Sequence, residues 1–352
     1  MEQQPRRARD LGIAPGRYPP GRHNAITDVA GVRVGQVTLR EGQDIRTGVT
    51  AVVPESLTIA GGTLPAGLFT GNGYGKLTGS TQLAELGVLE TPIALTGTLS
   101  VFRVADALVT YALGLPGNEG LHSVNPVAAE TNDGYLSDIR ARPVTTGHVL
   151  AAIAAASVGP VAQGAVGAGT GTGALGFKAG IGTASRLAGL PGGEPCTVGV
   201  LLQANFSGTL TVLGVPVDAG EALAGLSRDG SRDESEPAGN SCVIVVAVDQ
   251  PLDARQLTRV ARRAVFGMGA AGANYAGGSG DYALAFATRA GAPVTEAALE
   301  PVFAAVREAV EEAVLNSVFM AVTTTGYQGH VRHACPHEFV IRACRRAGVL
   351  AG

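Results

Sequence analysis

Short apolar runs separated by polar, glycine-rich stretches are the main pattern along this chain. The clearest run, residues 242–248, has seven uncharged residues rich in β-branched side chains and is closed by Asp249-Gln250-Pro251. This composition predicts a buried strand. A second strand is predicted at 282–288, directly after the polar cluster 277–281. Apolar residues at helical spacing predict four main helices, over 99–113, 145–157, 251–266 and 297–318.

The first 80 residues carry weaker signals. The proline- and arginine-rich residues 1–23 are predicted to be a loose lead-in. Residues 24–38 alternate apolar and polar positions around Gly31, which predicts a hairpin, and 47–54 predict another strand. The glycine-dense residues 68–79 are predicted to be a loop.

Composition narrows the class of protein. The 352 residues include 51 glycines, with no collagen period, so many tight turns and close backbone approaches are expected. Only 16% of residues are charged and the net charge is −3, which gives no reason to expect nucleic acid or an anionic membrane as partner. The four cysteines are too widely spaced for a disulfide framework, and the basic residues of the first ten are not followed by the apolar core of a secretory signal. A cytoplasmic protein is expected.

Ser241 stands where the polar segment 227–239 meets the strand predicted at 242–248. Ser279 and Asp281 precede the next predicted strand in the same way. If the two strands are neighbours, the three polar side chains lie at one edge of a sheet. Because a serine hydroxyl becomes a nucleophile when a base takes its proton, this edge is a candidate catalytic site.

Residues 240–281 also resemble a known family. The segments that carry the resemblance are Ser241–Asp249, Arg263–Gly269 and Gly278-Ser-Gly-Asp281, and the likeness extends over nearly the whole chain. The family is that of the L-aminopeptidase/D-Ala-esterase-amidases and β-peptidyl aminopeptidases (DmpA-like), which are N-terminal-nucleophile-like serine hydrolases made as inactive precursors. The resemblance implies that the precursor cuts itself between Asn240 and Ser241, which makes Ser241 the nucleophile at a new N-terminus.

The residues alone support only an α/β or α+β fold with many strands. The resemblance implies an α+β fold of the four-layer αββα sandwich type, which ornithine acetyltransferases share. One structural domain would then comprise an α chain, 1–240, ending in a flexible pre-cleavage segment at about 218–240, and a β chain, 241–352. It also implies an autoprocessing serine aminopeptidase or amidase acting on small peptides, amides or esters, without a cofactor or metal, and a tetramer of α/β pairs.

Roles for the other site residues come from the same resemblance. Ser279 and Asp281 would hold and polarise the Ser241 nucleophile, and the side-chain amide of Asn205 would stabilise the oxyanion. From the residues alone, Asn205 is also at home in a turn. Aspartate at 281 is shorter than the glutamate that the family also uses, which leaves its contact open.

Substrate contacts are expected from the first half of the chain. Glu130 would bind the free amine of the substrate through a charge-assisted hydrogen bond, although a lone glutamate is more often a solvated surface residue. Tyr135 would add a hydroxyl near the reacting centre. Asn72 and Tyr74 would line the substrate pocket, with a turn-forming role left open for both.

Three motifs suggest other chemistry: the first is rejected, the second is disfavoured, and whether the third binds a metal stays open. The Gly75-Lys76 pair lacks the first glycine and the Ser or Thr of a phosphate loop. Residues 171–176 form a G-x-G-x-x-G that follows a predicted helix rather than a strand. The His, Cys and Glu residues at 330–338 match no common zinc spacing.

Two other functions remain as alternatives. An amino-acid N-acetyltransferase of similar fold would use a threonine nucleophile, so Ser241 and the pattern Gly278-Ser-Gly-Asp281 count against it. A small-molecule binding protein would keep the fold and never process its chain.

Overall fold

Two β-sheets stacked face to face, with helices on both outer faces, form the frame of the molecule. A computed structural model describes residues 4–191, 194–224 and 240–351. The strands of these residues are β1 (Val32–Glu41), β2 (Ile45–Pro54), β3 (Leu64–Gly73), β4 (Val88–Leu89), β5 (Ile93–Gly97), β6 (Val127–Thr131), β7 (Gly173–Ala174), β8 (Phe177–Lys178), β9 (Ile181–Ala188), β10 (Cys196–Phe206), β11 (Leu210–Val212), β12 (Val215–Val217), β13 (Asn240–Val248), β14 (Gly280–Ala287), β15 (Thr324–Thr325) and β16 (Val331–Arg332). The α-helices are α1 (Ser80–Glu85), α2 (Val101–Leu113), α3 (Thr146–Ala154), α4 (Ala219–Leu223), α5 (Ala254–Ala270), α6 (Leu299–Phe319) and α7 (His337–Arg346).

The two large sheets differ in size. One has four strands in the order β1-β2-β5-β6, and the other has six in the order β4-β3-β14-β13-β10-β9. The pairs β5–β6 and β13–β14 are parallel, and the other neighbours are antiparallel. A parallel pair needs a crossover connection, and α2 and α5 provide it.

Three buried apolar clusters separate the layers. Between the sheets, Val52 and Leu95 of the smaller sheet pack with Leu201, Val245 and Phe286 of the larger one. A second cluster joins the outer face of the small sheet to α2 and α3, and a third joins the outer face of the large sheet to α5 and α6. The expected four-layer αββα sandwich is therefore confirmed.

Strand β13 lies in the middle of this arrangement and is buried on both faces. Val243, Val245 and Ala247 belong to the cluster between the sheets, whereas Ile244 and Val246 belong to the cluster under α5 and α6. An uninterrupted apolar run is what a strand covered on both faces requires, which is why it could be recognised in the sequence.

The four predicted helices are confirmed as α2, α3, α5 and α6. Helix α5 continues to Ala270, four residues past its predicted end. Gly267 lies inside it because a Cβ at that position would approach Cβ of Val310 on α6 to 2.9 Å. The glycine there permits close packing of two helices and does not end one.

Two predictions for the first 80 residues are wrong. The hairpin does not turn at Gly31, since residues 26–28 form a 3₁₀ turn and β1 pairs with β2 through a turn between Glu41 and Ile45. Residues 68–73 are not loop but the second half of β3. Gly67 of that strand would place a Cβ 2.2 Å from the backbone nitrogen of Thr258, so glycine lets the strand lie directly against α5.

The prediction of a loose N-terminal lead-in is also wrong for the described residues from 4 onward. Arg9 donates to Glu312 of α6 at 2.9 Å, and the backbone N–H of Ala8 donates to Asn316 Oδ1 at 2.9 Å. Glu312 is in turn paired at 2.7 Å with the fully buried Arg186 of β9. A buried ion-pair network thus attaches the N-terminal segment to the core.

Most of the expected pre-cleavage segment, 225–239, lies outside the described residues; within its first part, residues 219–223 form α4. None of the described helices is both long and apolar enough to cross a membrane.

Candidate active site

Ser241 lies at the head of β13, between the strands that carry the other candidate residues. In the register of the six-stranded sheet it is directly opposite Asn205 of β10, while Cys242 is opposite Asp281 of β14. Neighbouring strands are about 4.8 Å apart. The sheet therefore brings together the candidate nucleophile, the amide and the acid that the sequence analysis selected.

Alternation along the strands decides which way these side chains face. Ser241 has the parity of Val243 and Val245, and Asn205 has that of Leu201, so both face the space between the sheets. Both side chains are buried, at 2% and 4% exposure. Asp281 shares the opposite face with Cys242, and the backbone N–H of Cys242 at the head of β13 donates to its carboxylate.

Two hydrogen bonds orient the amide of Asn205. Its Oδ1 accepts from the backbone N–H of Gly173 at 3.2 Å, and its Nδ2 donates to the carbonyl of Asn132 at 2.9 Å. Because an amide nitrogen carries two hydrogens, one remains for a ligand in the described surroundings. The Gly173 contact also gives the glycine-rich residues 171–176 a role, which is to hold a side chain by a backbone N–H.

Ser279 and Asp281 form a buried pair at the start of β14. The hydroxyl of Ser279 donates to Asp281 Oδ1 at 2.7 Å, and both residues are almost fully buried. Burial raises the pKa of Asp281 above its ordinary value, while hydrogen bonds from the Ser279 hydroxyl and the Cys242 N–H act to lower it. Among the described residues, Asp281 Oδ2 has no hydrogen-bond partner. This oxygen is a strong acceptor that a nearby N–H or ammonium group would satisfy.

Glu130 lies on β6, the edge strand of the smaller sheet, and is 2% exposed. Its Oε1 accepts from the backbone N–H of Lys76 at 2.9 Å and lies 3.5 Å from the ammonium nitrogen of the same lysine. Lys76 Nζ also donates to Thr98 Oγ1 at 2.9 Å. Glu130 is thus a buried carboxylate held by one lysine and not a solvated surface residue.

Backbone contacts connect Glu130 to the serine end of the site. Gly73 pairs with Gly280, the residue level with Ser241, and a Cβ on Gly280 would approach Cα of Gly75 to 2.9 Å. Lys76 follows directly and bonds Glu130. The chain from 73 to 76 therefore runs from the head of β14 to the glutamate.

Tyr135 and Asn72 are held by their surroundings. The ring of Tyr135 stacks on His330 with centroids 4.4 Å apart, and the guanidinium carbon of Arg332 lies 4.7 Å from its centroid. Asn72 donates to the carbonyl of Ala276 at 2.7 Å and accepts from the N–H of Gly73. We interpret Asn72 as a residue that holds the loop before Ser279, since both polar atoms of its side chain contact backbone.

Asp133 is a residue that sequence reasoning missed. It was interpreted only as part of a turn, yet it is buried and directly follows Asn132, whose carbonyl orients Asn205. Burial raises the pKa of Asp133 to about 7, with the nearby charge of Glu130 adding to the rise and Thr47 and Lys178 opposing it. Its position two residues after a strand end, beside Asn132, was the signal that could have found it.

The histidine-rich segment near the C-terminus makes ordinary protein contacts. His330 Nδ1 lies 2.8 Å from the carbonyl of Tyr135, and His337 Nε2 lies 2.9 Å from that of Phe319. Burial raises the pKa of the Cys335 thiol and lowers that of His337. No group of three potential metal ligands occurs in the described parts of the chain.

A strand-borne serine, an amide donor opposite it and a buried acid beside it are groups that serine hydrolases use for catalysis. The sequence profile of peptidase family S58 matches residues 24–332. The chain is 41% identical over 367 aligned residues to beta-peptidyl aminopeptidase BapA of Sphingosinicella microcystinivorans, covering 94% of this chain and 90% of that protein.

Solved structures of similar proteins superpose on this chain over nearly its whole length. The PH0078 protein from Pyrococcus horikoshii OT3 superposes with a TM-score of 0.89 at 41% identity, over 98% of this chain and 100% of that one. The L-aminopeptidase D-Ala-esterase/amidase from Ochrobactrum anthropi, described as a prototype of the serine aminopeptidases with a variant Ntn hydrolase fold, superposes with a TM-score of 0.88 at 34% identity over 98% and 99%. The chain belongs to peptidase family S58, and it is a serine aminopeptidase of Ntn-like fold.

Proposed function

We propose that this protein releases the N-terminal residue, β-linked residues included, from small peptides, amides or esters through an ester on Ser241. The observation that carries the proposal is the register of β10, β13 and β14, which sets Ser241 beside Asn205 and next to the Ser279–Asp281 pair. The likeness to a beta-peptidyl aminopeptidase at 41% identity supports the substrate class.

The first step is a cut in the protein's own backbone. Ser241 attacks the carbonyl of Asn240, the acyl group moves from nitrogen to oxygen, and water hydrolyses the resulting ester. The cut converts the amide nitrogen of Ser241 into an α-amine, whose ordinary pKa is about 7.7–8.0. An amine of that strength takes the hydroxyl proton near neutral pH, whereas an amide does not. The cut therefore has to precede turnover.

The polar residues beside Ser241 stabilise the oxyanion and orient the new α-amine. The free hydrogen of the Asn205 amide faces the same space as the Ser241 side chain and stabilises the oxyanion, a contribution of about 3 kcal/mol for a side-chain donor of this kind. Asp281 lies against the backbone at the head of β13, so its unpartnered Oδ2 accepts from the new α-amine. Ser279 fixes the orientation of that carboxylate.

Glu130 selects the substrate. A buried carboxylate binds an ammonium group by a charge-assisted hydrogen bond, which favours substrates with a free amine over blocked ones. Acylation of Ser241 releases the rest of the peptide, or ammonia or an alcohol, and water then frees the amino acid from the ester.

Intact-mass analysis of the wild type beside Ser241→Ala tests the proposal. We expect two pieces, residues 1–240 and 241–352, from the wild type and a single uncut chain from the variant. Hydrolysis of β-alanyl p-nitroanilide should follow the cut protein only. Activity in an uncut chain would contradict the proposed base, because no α-amine would then be present at Ser241.

A further inference from the structure

Lys76 is an exposed lysine whose ammonium group lies beside the proposed amine-binding residue, Glu130. The sequence has only two lysines, Lys76 and Lys178, among 26 basic residues. Lys178 is completely buried and donates to the carbonyl of Gly169, so it is not accessible from outside. Lys76 keeps 44% of its side chain exposed while its ammonium group lies beside the buried Glu130.

The ion pair matters because Glu130 is the proposed amine site. In the free protein the charge of the carboxylate is balanced by the ammonium of Lys76, 3.5 Å away. A substrate amine that binds Glu130 brings a second positive charge to the same place. Two ammonium groups then share one carboxylate, and their mutual repulsion weakens binding of the amine unless the substrate supplies a further negative charge close to it.

Lys76 is also held in a position from which its ammonium group can contact a negative charge on the substrate. Thr98 accepts a hydrogen bond from Nζ at 2.9 Å, so the ammonium keeps its position by two contacts. An ammonium has three hydrogens, and these contacts leave one directed elsewhere. Lysine suits this role because it is a compact point charge on a long stem, able to shift when a ligand arrives.

We propose that Lys76 and Glu130 together form a two-charge recognition site for an N-terminal residue whose amine-bearing carbon also carries a carboxylate. In a β-linked peptide this is an aspartyl residue joined through its side-chain carbonyl, with a free α-amine and a free α-carboxylate. Glu130 binds the amine, Lys76 binds the carboxylate, and the β-carbonyl is presented to Ser241. The inference rests on the proposed function and adds the substrate class that the same site prefers.

The test compares two nitroanilides that differ only in that carboxylate. One is β-linked L-aspartyl p-nitroanilide, and the other has its α-carboxylate replaced by a carboxamide, which is similar in shape and uncharged. For the processed full-length wild type we expect kcat/KM to be at least tenfold higher for the carboxylate probe. This preference should come from a lower KM, with kcat similar for the two probes. In Lys76→Met the ratio of the two kcat/KM values should fall to about one.

Two further variants separate charge from structure. Lys76→Arg keeps the charge on a bulkier head group and should retain part of the preference. Arg289→Met removes an exposed cation that pairs with Glu194, outside the site, and should leave the ratio at its wild-type value. Because each ratio is measured on one protein preparation, partial loss of folded enzyme does not alter it.

The results that overturn the inference are specific. A wild-type ratio near one, or an unchanged ratio in Lys76→Met, rules out the two-charge site while β-alanyl p-nitroanilide is still cleaved. If the cut wild type cleaves neither these probes nor β-alanyl p-nitroanilide, the proposed function itself is wrong, and the inference falls with it.

Discussion

Replacing Asn205 by alanine isolates the proposed oxyanion donor. The variant removes the amide hydrogen that faces the same space as Ser241, and a single side-chain donor of this kind is worth about 3 kcal/mol, or 10²–10³-fold in kcat. We therefore expect kcat for β-alanyl p-nitroanilide to fall by about that factor with KM within about threefold, since the amide contacts the substrate only as charge develops. The self-cleavage at Asn240-Ser241 should slow as well, because it passes through an oxyanion at the same place.

The same substitution also lowers the stability of the fold, and a control variant separates this effect from the effect on catalysis. Without the amide, the N–H of Gly173 and the carbonyl of Asn132 lose their partner, at about 1–3 kcal/mol for each buried group. Gln203 is the matched control, because it lies two residues earlier on the same face of β10. Its amide is also buried and donates to the carbonyls of Thr96 and Ala168.

Urea unfolding and kinetics of both variants decide between the two effects. Gln203→Ala should be destabilised to a similar degree, yet keep kcat within a few-fold of the wild type for the fraction that is folded and cut. If Asn205→Ala shows a kcat within threefold of the wild type, or if both variants lose activity equally, the amide is a structural residue and the oxyanion role is wrong.

Two further predictions concern stability. The pKa of Asp133 is raised to about 7 from an ordinary 3.8, so the folded state binds the extra proton. The stabilisation of the folded state that follows from this raised pKa is complete below pH 3.8 and is lost as the pH rises through 7. It amounts to at most about 4 kcal/mol. Urea midpoints between pH 4 and 8 should therefore fall less with rising pH in Asp133→Asn than in the wild type, and parallel curves would contradict this. Glu312→Gln removes the nearer of the two carboxylates that pair with the buried Arg186 and leaves only Glu308, 3.5 Å away. We therefore expect a loss of about 3–5 kcal/mol by denaturant unfolding, whereas the exposed Glu296→Gln should change little. Equal effects of the two variants would show that the network does not hold the N-terminal segment.

The central strand and the main helices could be predicted because each carries its signal locally. Residues 242–248 are buried on both faces of a sheet, so an uninterrupted apolar run encodes them. Helices α2, α5 and α6 show apolar spacing at the helical period for the same reason. The polar residues at the heads of β13 and β14 were recognisable because a polar cluster directly before an apolar run is itself a local pattern.

Glycines led to wrong predictions of a loop or a helix end wherever the glycine is required by a contact with a distant segment. Gly71 and Gly267 both lie inside regular elements, and each makes room for a neighbouring segment more than 40 residues away. The sequence alone does not distinguish such a glycine from one in a turn, because the neighbour that excludes a side chain is defined only by the folded chain.

The chemistry-bearing residue types were determined by the sequence alone, and their partners were decided only by tertiary structure. Ser241, Asn205 and Asp281 could be selected from local pattern and family resemblance, yet their contact depends on the strand order β10-β13-β14, which no local signal encodes. The pairing of Glu130 with Lys76, the burial of Asp133 and the docking of the N-terminal segment on Glu312 are likewise long-range. Charge pairing and burial depend on which surfaces meet, and that is a property of the packed layers and not of neighbouring residues in the chain.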